Sequence, residues 1–224
     1  MQLHGCSYLA ALFTAALAQA TILPPTGSGP VPPTAFSTAV TGPFLADTGV
    51  QTFVATNSLG QTTISGDYRA AVYADPSNSF CAGCLDFFIW VTSNSTSTDA
   101  IERITDAAFG AFQTDVGYSL GTGSTPGGID PDTVDRSSNG SVIGFNFTEP
   151  VGVPPGSSTQ VLEIETDART FVAGTLQIID SSVASVAAFA PGCTVPEASS
   201  ISMTLLGGAF LGLGCIRRRR RRTS

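Results

Sequence analysis

The chain has 224 residues, a formal charge of −7, and ten basic residues that are all Arg; it contains no Lys and a single His, His4. Only 12% of residues are charged, while Gly and Pro number 24 and 14. This excludes a coiled coil, a helical bundle and a disordered polyelectrolyte, and points to an all-β domain with many polar loops.

Residues 1–20, MQLHGCSYLAALFTAALAQA, read as a secretory signal peptide that hands the chain to the Sec translocon. The apolar stretch from Tyr8 to Leu17 ends in Ala18-Gln19-Ala20, a small-x-small cleavage pattern. Cleavage after Ala20 leaves Thr21 as the first residue. Leu3-His4-Gly5-Cys6 mimics a lipoprotein box but precedes the apolar stretch, so lipidation is not expected there. Residues 21–34 are rich in Pro and Gly and read as an extended tether or a loosely held lead-in. The domain proper is expected over residues 35–190.

Within it, β-type segments alternate with clusters of Gly, Asn, Asp, Pro and Ser. Residues 50–56 and 61–65 flank the hairpin-like turn Asn57-Ser58-Leu59-Gly60. Residues 67–74 alternate loosely and stop at Asp75-Pro76. Residues 85–92, LDFFIWVT, are nearly continuously apolar and read as a central buried strand, with Trp90 expected in the core. Residues 141–147, 160–166, 171–179 and 182–189 complete the set. The segment from Ser93 to Tyr118 is ambiguous: Ile101, Ile104 and Ala108 have helical spacing, but Phe109, Gly110 and Phe112 suit a strand or bulge, and strand is preferred. The expected fold is one β-sandwich, Ig-like or jelly-roll-like.

The mature body has no His and no Lys, so Ser-His-Asp and Cys-His catalysis, His-containing zinc sites, Schiff bases and Ser-Lys dyads are excluded. Carboxylate chemistry and Ca²⁺ binding remain. Cys81-Ala82-Gly83-Cys84 precedes a strand with no basic neighbour, which favours a structural disulfide over a redox pair. Cys193 is left over, free or paired with either of them, and Cys215 lies in the apolar tail. Asp130, Asp132 and Asp135 crowd a Gly-rich loop and are candidate Ca²⁺ ligands, although a solvated turn explains the same residues. Glu163 and Glu165 share a strand face and form a candidate glycosidase pair, although any solvent-facing strand shows this spacing. No catalytic residue and no cofactor other than Ca²⁺ is expected.

Between residues 21 and 196 four Arg face sixteen carboxylates, and the other six Arg form the run Arg217, Arg218, Arg219, Arg220, Arg221 and Arg222. The acidic body repels phosphate backbones, so nucleic acid is not an expected partner. The Arg run follows an apolar segment, residues 201–216, that as a helix spans about 24 Å, slightly short of a hydrocarbon core of about 30 Å, with flanking residues making up the difference. It should stay cytoplasmic, with the body outside. Residues 191–200 form a linker carrying Val195, Pro196, Glu197 and Ala198.

This order of Pro-Glu motif, apolar helix and Arg terminus resembles the PEP-CTERM sorting signal; Ala198 stands where that family usually has a second Pro. The resemblance covers about the last thirty residues. It implies an exported, non-enzymatic protein of the cell envelope or extracellular matrix of a Gram-negative-type bacterium. It also implies transient anchoring in the inner membrane and processing by an exosortase, in organisms that make extracellular polysaccharide. A carbohydrate- or calcium-binding module of that matrix is the alternative, and a carboxylate-dependent glycoside hydrolase a third.

Overall fold

The computed structural model describes residues 21–123, 125, 128–147 and 152–193. The signal peptide with Ala18 and Ala20, the sorting motif Val195–Ala198, the apolar segment 201–216 and the Arg run 217–222 lie outside the described residues.

Among the described residues the protein is all-β, with no helix, and its strands form two sheets that pack as a sandwich. The larger sheet runs β1 (Ile22–Leu23), β9 (Thr114–Ser119), β12 (Val161–Thr166), β7 (Cys84–Ser93), β6 (Thr62–Asp75), β4 (Phe44–Asp47). To this, β3 (Thr34–Phe36) adds on β9 and β5 (Gln51–Thr56) on β6. The smaller runs β14 (Val183–Gly192), β13 (Thr170–Ile179), β8 (Arg103–Ala107), β11 (Val142–Asn146), β10 (Thr133–Arg136), β2 (Ser28–Val31). The pairings are antiparallel except that β3 runs parallel to β9.

Side chains alternate across each strand, so one face of each sheet supplies the core. From the larger sheet come Ile64, Val72, Phe87, Ile89, Val116, Leu162 and Ile164; from the smaller come Ile104, Val134, Ile143, Phe145, Leu176 and Ile178. The strands expected at 85–92, 141–147, 160–166, 171–179 and 182–189 are all present. The hairpin at Asn57–Gly60 joins β5 to β6, with Gly60 at φ 76°. The two segments at 61–65 and 67–74 are a single strand, β6, whose first half pairs with β5 and second half with β4.

Two expectations are corrected. Residues 21–34 are not a tether: β1 pairs with β9, β2 with β10, and Leu23 is fully buried. Pro in this stretch limits the strands to short edge pieces without preventing them from docking. Trp90 is not a core residue. It lies on the outer face of the larger sheet, half-buried, stacked on Phe88 and under the Arg69 guanidinium at 5.0 Å. The ambiguous segment resolves into β8 and β9, as preferred. Ala108, at φ 76°, turns the chain between them and drops Phe109 into the core against Phe87.

Candidate functional site

The two-residue period that puts Phe87 and Ile89 into the core sends Asp86, Phe88 and Trp90 to the outer face. On β12 it sends Leu162 and Ile164 inward and Glu163 and Glu165 outward. Register then does the rest. Glu165 is the cross-strand partner of Asp86 on one side and of Asp115 on the other, so three carboxylates stand in one row across β9, β12 and β7. Adjacent strands are about 4.8 Å apart, and like charges directly opposite are destabilising. Asp75, the last residue of β6, joins this row: carboxylate oxygens of Asp75, Asp86 and Glu165 lie within 4.8 Å of one another.

The row is roofed from both sides. The loop 76–83 is pinned by the Cys81–Cys84 disulfide and by Gly83 donating its N–H to the Asp75 carbonyl. From it, the Ser79 N–H donates to Glu165 Oε2 at 2.9 Å and Asn78 Nδ2 to Asp86 Oδ1 at 2.7 Å. Ser77 donates to Asp75 from both its N–H and its hydroxyl. Opposite, β3 and residues 37–38 form the second wall. Between them lies a cleft of about 240 Å³ whose acidic lining is Asp75, Asp115, Glu163 and Glu165. Asp86 does not line the cleft; it is fully buried, with a carboxylate oxygen within 4.8 Å of those of Asp75 and Glu165.

The electrostatics are those of crowded, dry acids. Burial pushes Glu163 up to about 8, with the Glu165, Asp75 and Asp115 charges adding to it against a Ser119 hydrogen bond. Burial pushes Asp86 up to about 9, opposed by Asn78 and reinforced by Glu165, Glu163 and Asp75. Glu165 and Asp115 are also raised, again chiefly by desolvation. Two oxygens here, Asp86 Oδ2 and Glu163 Oε2, are buried with no hydrogen-bond partner among the described residues. Among the described residues no basic side chain lines the cleft. Arg69 pairs with Asp47, Arg103 with Asp135, and Arg136 is spent on backbone carbonyls. The donor set is entirely oxygen, which suits Ca²⁺ or Mg²⁺ and not Zn²⁺ or Cu²⁺.

The sequence-derived candidates divide. Glu163 and Glu165 are in the site, though not on an open face: both are buried, because β12 is covered on either side. Asp130, Asp132 and Asp135 are elsewhere. Asp135 is held by Arg103 at 2.7 Å and by Asn146; burial raises its carboxyl, but these partners outweigh burial and leave it lowered. Asp130 bonds Tyr118, and Asp132 is exposed. Cys81 and Cys84 form the expected disulfide, and Cys193 is exposed and free. Asp75, Asp86 and Asp115 were not singled out from sequence. The available signal was Asp86 itself, a lone carboxylate inside the most apolar strand.

Comparison with models of known families, with curated proteins and with solved structures returns no match to this chain.

Proposed function

We propose that this is an exported, non-enzymatic protein of the cell envelope or extracellular matrix whose sandwich domain holds a divalent cation, Ca²⁺ in an extracellular setting, in the acidic cleft. Export rests on the signal peptide and on the PEP-CTERM-like tail, with its apolar helix and Arg terminus, which an exosortase would process. The cation site rests on one observation: the row Asp115–Glu165–Asp86, joined by Asp75 and with Glu163 beside it, where Asp86 Oδ2 and Glu163 Oε2 are buried and have no hydrogen-bond partner among the described residues. A cation would exchange lost protons for direct coordination, and its binding free energy would add to folding stability. Asp75, Asp86 and Glu165 would hold it, with Glu163 and the Ser77 hydroxyl beside them.

The test is thermal unfolding of the full chain in Ca²⁺ and in chelator. Ca²⁺ should raise the Tm of the wild type and leave Asp86→Asn and Glu165→Gln unmoved, while Asp132→Ala keeps the response. Equal Tm values for the wild type in both conditions would reject the site. A tail cut near Val195–Ala198 in an exosortase-competent host, read by intact mass, tests the sorting half.

A second reading has a specific observation behind it. Glu163, protonated at neutral pH and two residues from Glu165, has the character of a general acid paired with a second carboxylate. Hydrolysis of a soluble glycan, abolished by Glu163→Gln and unaffected by chelator, would favour it over cation binding.

A further inference from the structure

Among the described residues no basic side chain lines the cleft, yet a nitrogen is already aimed at its acids. Thr21 N lies 2.8 Å from Asp115 Oδ1 and 2.6 Å from Thr34 Oγ1. The Thr34 hydroxyl in turn donates to Asp115 Oδ1 at 2.7 Å. Every other polar group of Thr21 is also fixed: its hydroxyl donates to the Pro32 carbonyl at 2.8 Å, and its carbonyl accepts from Val116 N–H. An amide N–H has one hydrogen to share between two acceptors. An ammonium has three, and would meet a carboxylate that is 2% exposed with charge as well as a hydrogen bond. Independently, the small-x-small pattern at Ala18 and Ala20 makes Thr21 the residue that cleavage would expose.

We propose that hydrolysis of the Ala20–Thr21 bond is a maturation step of the fold: it turns the Thr21 amide into an α-ammonium that ion-pairs with buried Asp115 at the end of the acidic row. Water adds across the peptide bond under a signal-type peptidase. The Ala20 carbonyl carbon takes the oxygen and leaves as a carboxylate, and the Thr21 nitrogen leaves as an ammonium, with no net proton released. The new charge neutralises Asp115 and leaves Asp75, Asp86 and Glu165 to the dication. It also clamps β1, which carries Leu23 into the core. This rests on the export reading above, and not on the cation.

The absence of Lys makes the test clean, because the α-amine is the sole primary amine of the mature chain. The chain from Thr21 to Ser224, freed from a fusion partner so that Thr21 is its first residue, is purified in detergent. It is then treated with an amine-acetylating ester, native and in urea, and followed by mass. The native amine should react at least about tenfold more slowly, the factor that about 1.4 kcal/mol of pairing gives. Asp115→Asn should restore much of the rate, and protein acetylated in urea and refolded should melt lower than the unmodified chain. Equal native and unfolded rates in the wild type would overturn the ion pair whatever the variant does, and would leave export standing. N-terminal sequencing of the exported protein separates the two: Thr21 as first residue supports the maturation step. Any other first residue overturns that step together with the assigned cleavage.

Discussion

Arg136 shows how one side chain can serve structure where charge pairing would be expected. It is buried, and Asp135 beside it in sequence is taken by Arg103. Its guanidinium donates instead to four carbonyls: Gly140 at 2.7 Å, Leu23 at 2.5 Å, Phe109 at 2.5 Å and Phe112 at 2.9 Å. These belong to β1, the β8–β9 turn and the β10–β11 turn, so one residue at the end of β10 ties the smaller sheet to the larger one. The planar fork of five donors is what permits this, and Lys could not reproduce it. Arg136→Ala would leave the Leu23 carbonyl with the Thr114 hydroxyl and the Phe109 carbonyl with the Phe112 N–H, but would take this donor from the Gly140 and Phe112 carbonyls, each costing about 1–3 kcal/mol where water does not reach. Urea unfolding should show a loss of about 3–5 kcal/mol; a loss below about 1 kcal/mol would mean that water replaces the guanidinium.

At the scale of elements, the acidic cleft exists because a disulfide-closed loop and a short parallel strand are laid over a sheet face. The loop 76–83 brings Asn78 and Ser79 to Asp86 and Glu165. Replacing both Cys81 and Cys84 by Ser should therefore weaken Ca²⁺ binding, by roughly tenfold if one charge-assisted hydrogen bond is lost, while the far sheet is unaffected. Calorimetric titration of Ca²⁺ into both proteins measures it, and equal affinities would show that the loop does not shape the site. The other wall depends on Gly117, opposite Glu163: a Cβ there would stand 1.8 Å from the Thr34 carbonyl oxygen. The larger strands were legible in sequence because each is a run of apolar or alternating residues between turn residues. The short strands β1 to β4 and β10 were not, since two to four residues carry no period and several lie among Pro and Gly. The site was half legible. Glu163 and Glu165 show their shared face by spacing alone, but Asp86 and Asp115 reach them only through the β9–β12–β7 register, a non-local pairing that no local pattern encodes.

For the whole molecule, the consequence of storing acids in a dry place is an unusual dependence on pH. Unfolded Asp and Glu titrate near 4. Glu163 at about 8 and Asp86 at about 9 hold protons in the folded state well above that, and Glu165, Asp115 and the fully buried Asp106 on the other sheet are shifted the same way, mainly by desolvation. The folded state therefore binds more protons than the unfolded one from about pH 4 upward, and stability falls as pH rises through this window towards about 9. Asp47 is lowered by its hydrogen bonds to Arg69, and Asp135 by Arg103 against its own burial; both act oppositely, giving stability that is lost as pH falls below about 4. In chelator the Tm should thus peak near pH 4–5 and decline to pH 8. Ca²⁺ should raise it far more at pH 8 than at pH 5, because at pH 5 the cation must displace protons that the carboxylates already hold. Asp106→Asn, away from the cleft, should flatten the decline without touching the Ca²⁺ response. A Tm that climbs from pH 5 to pH 8 in chelator would mean that these acids are ionised and solvated in the folded protein, and that the cleft is open water instead of a site waiting for positive charge.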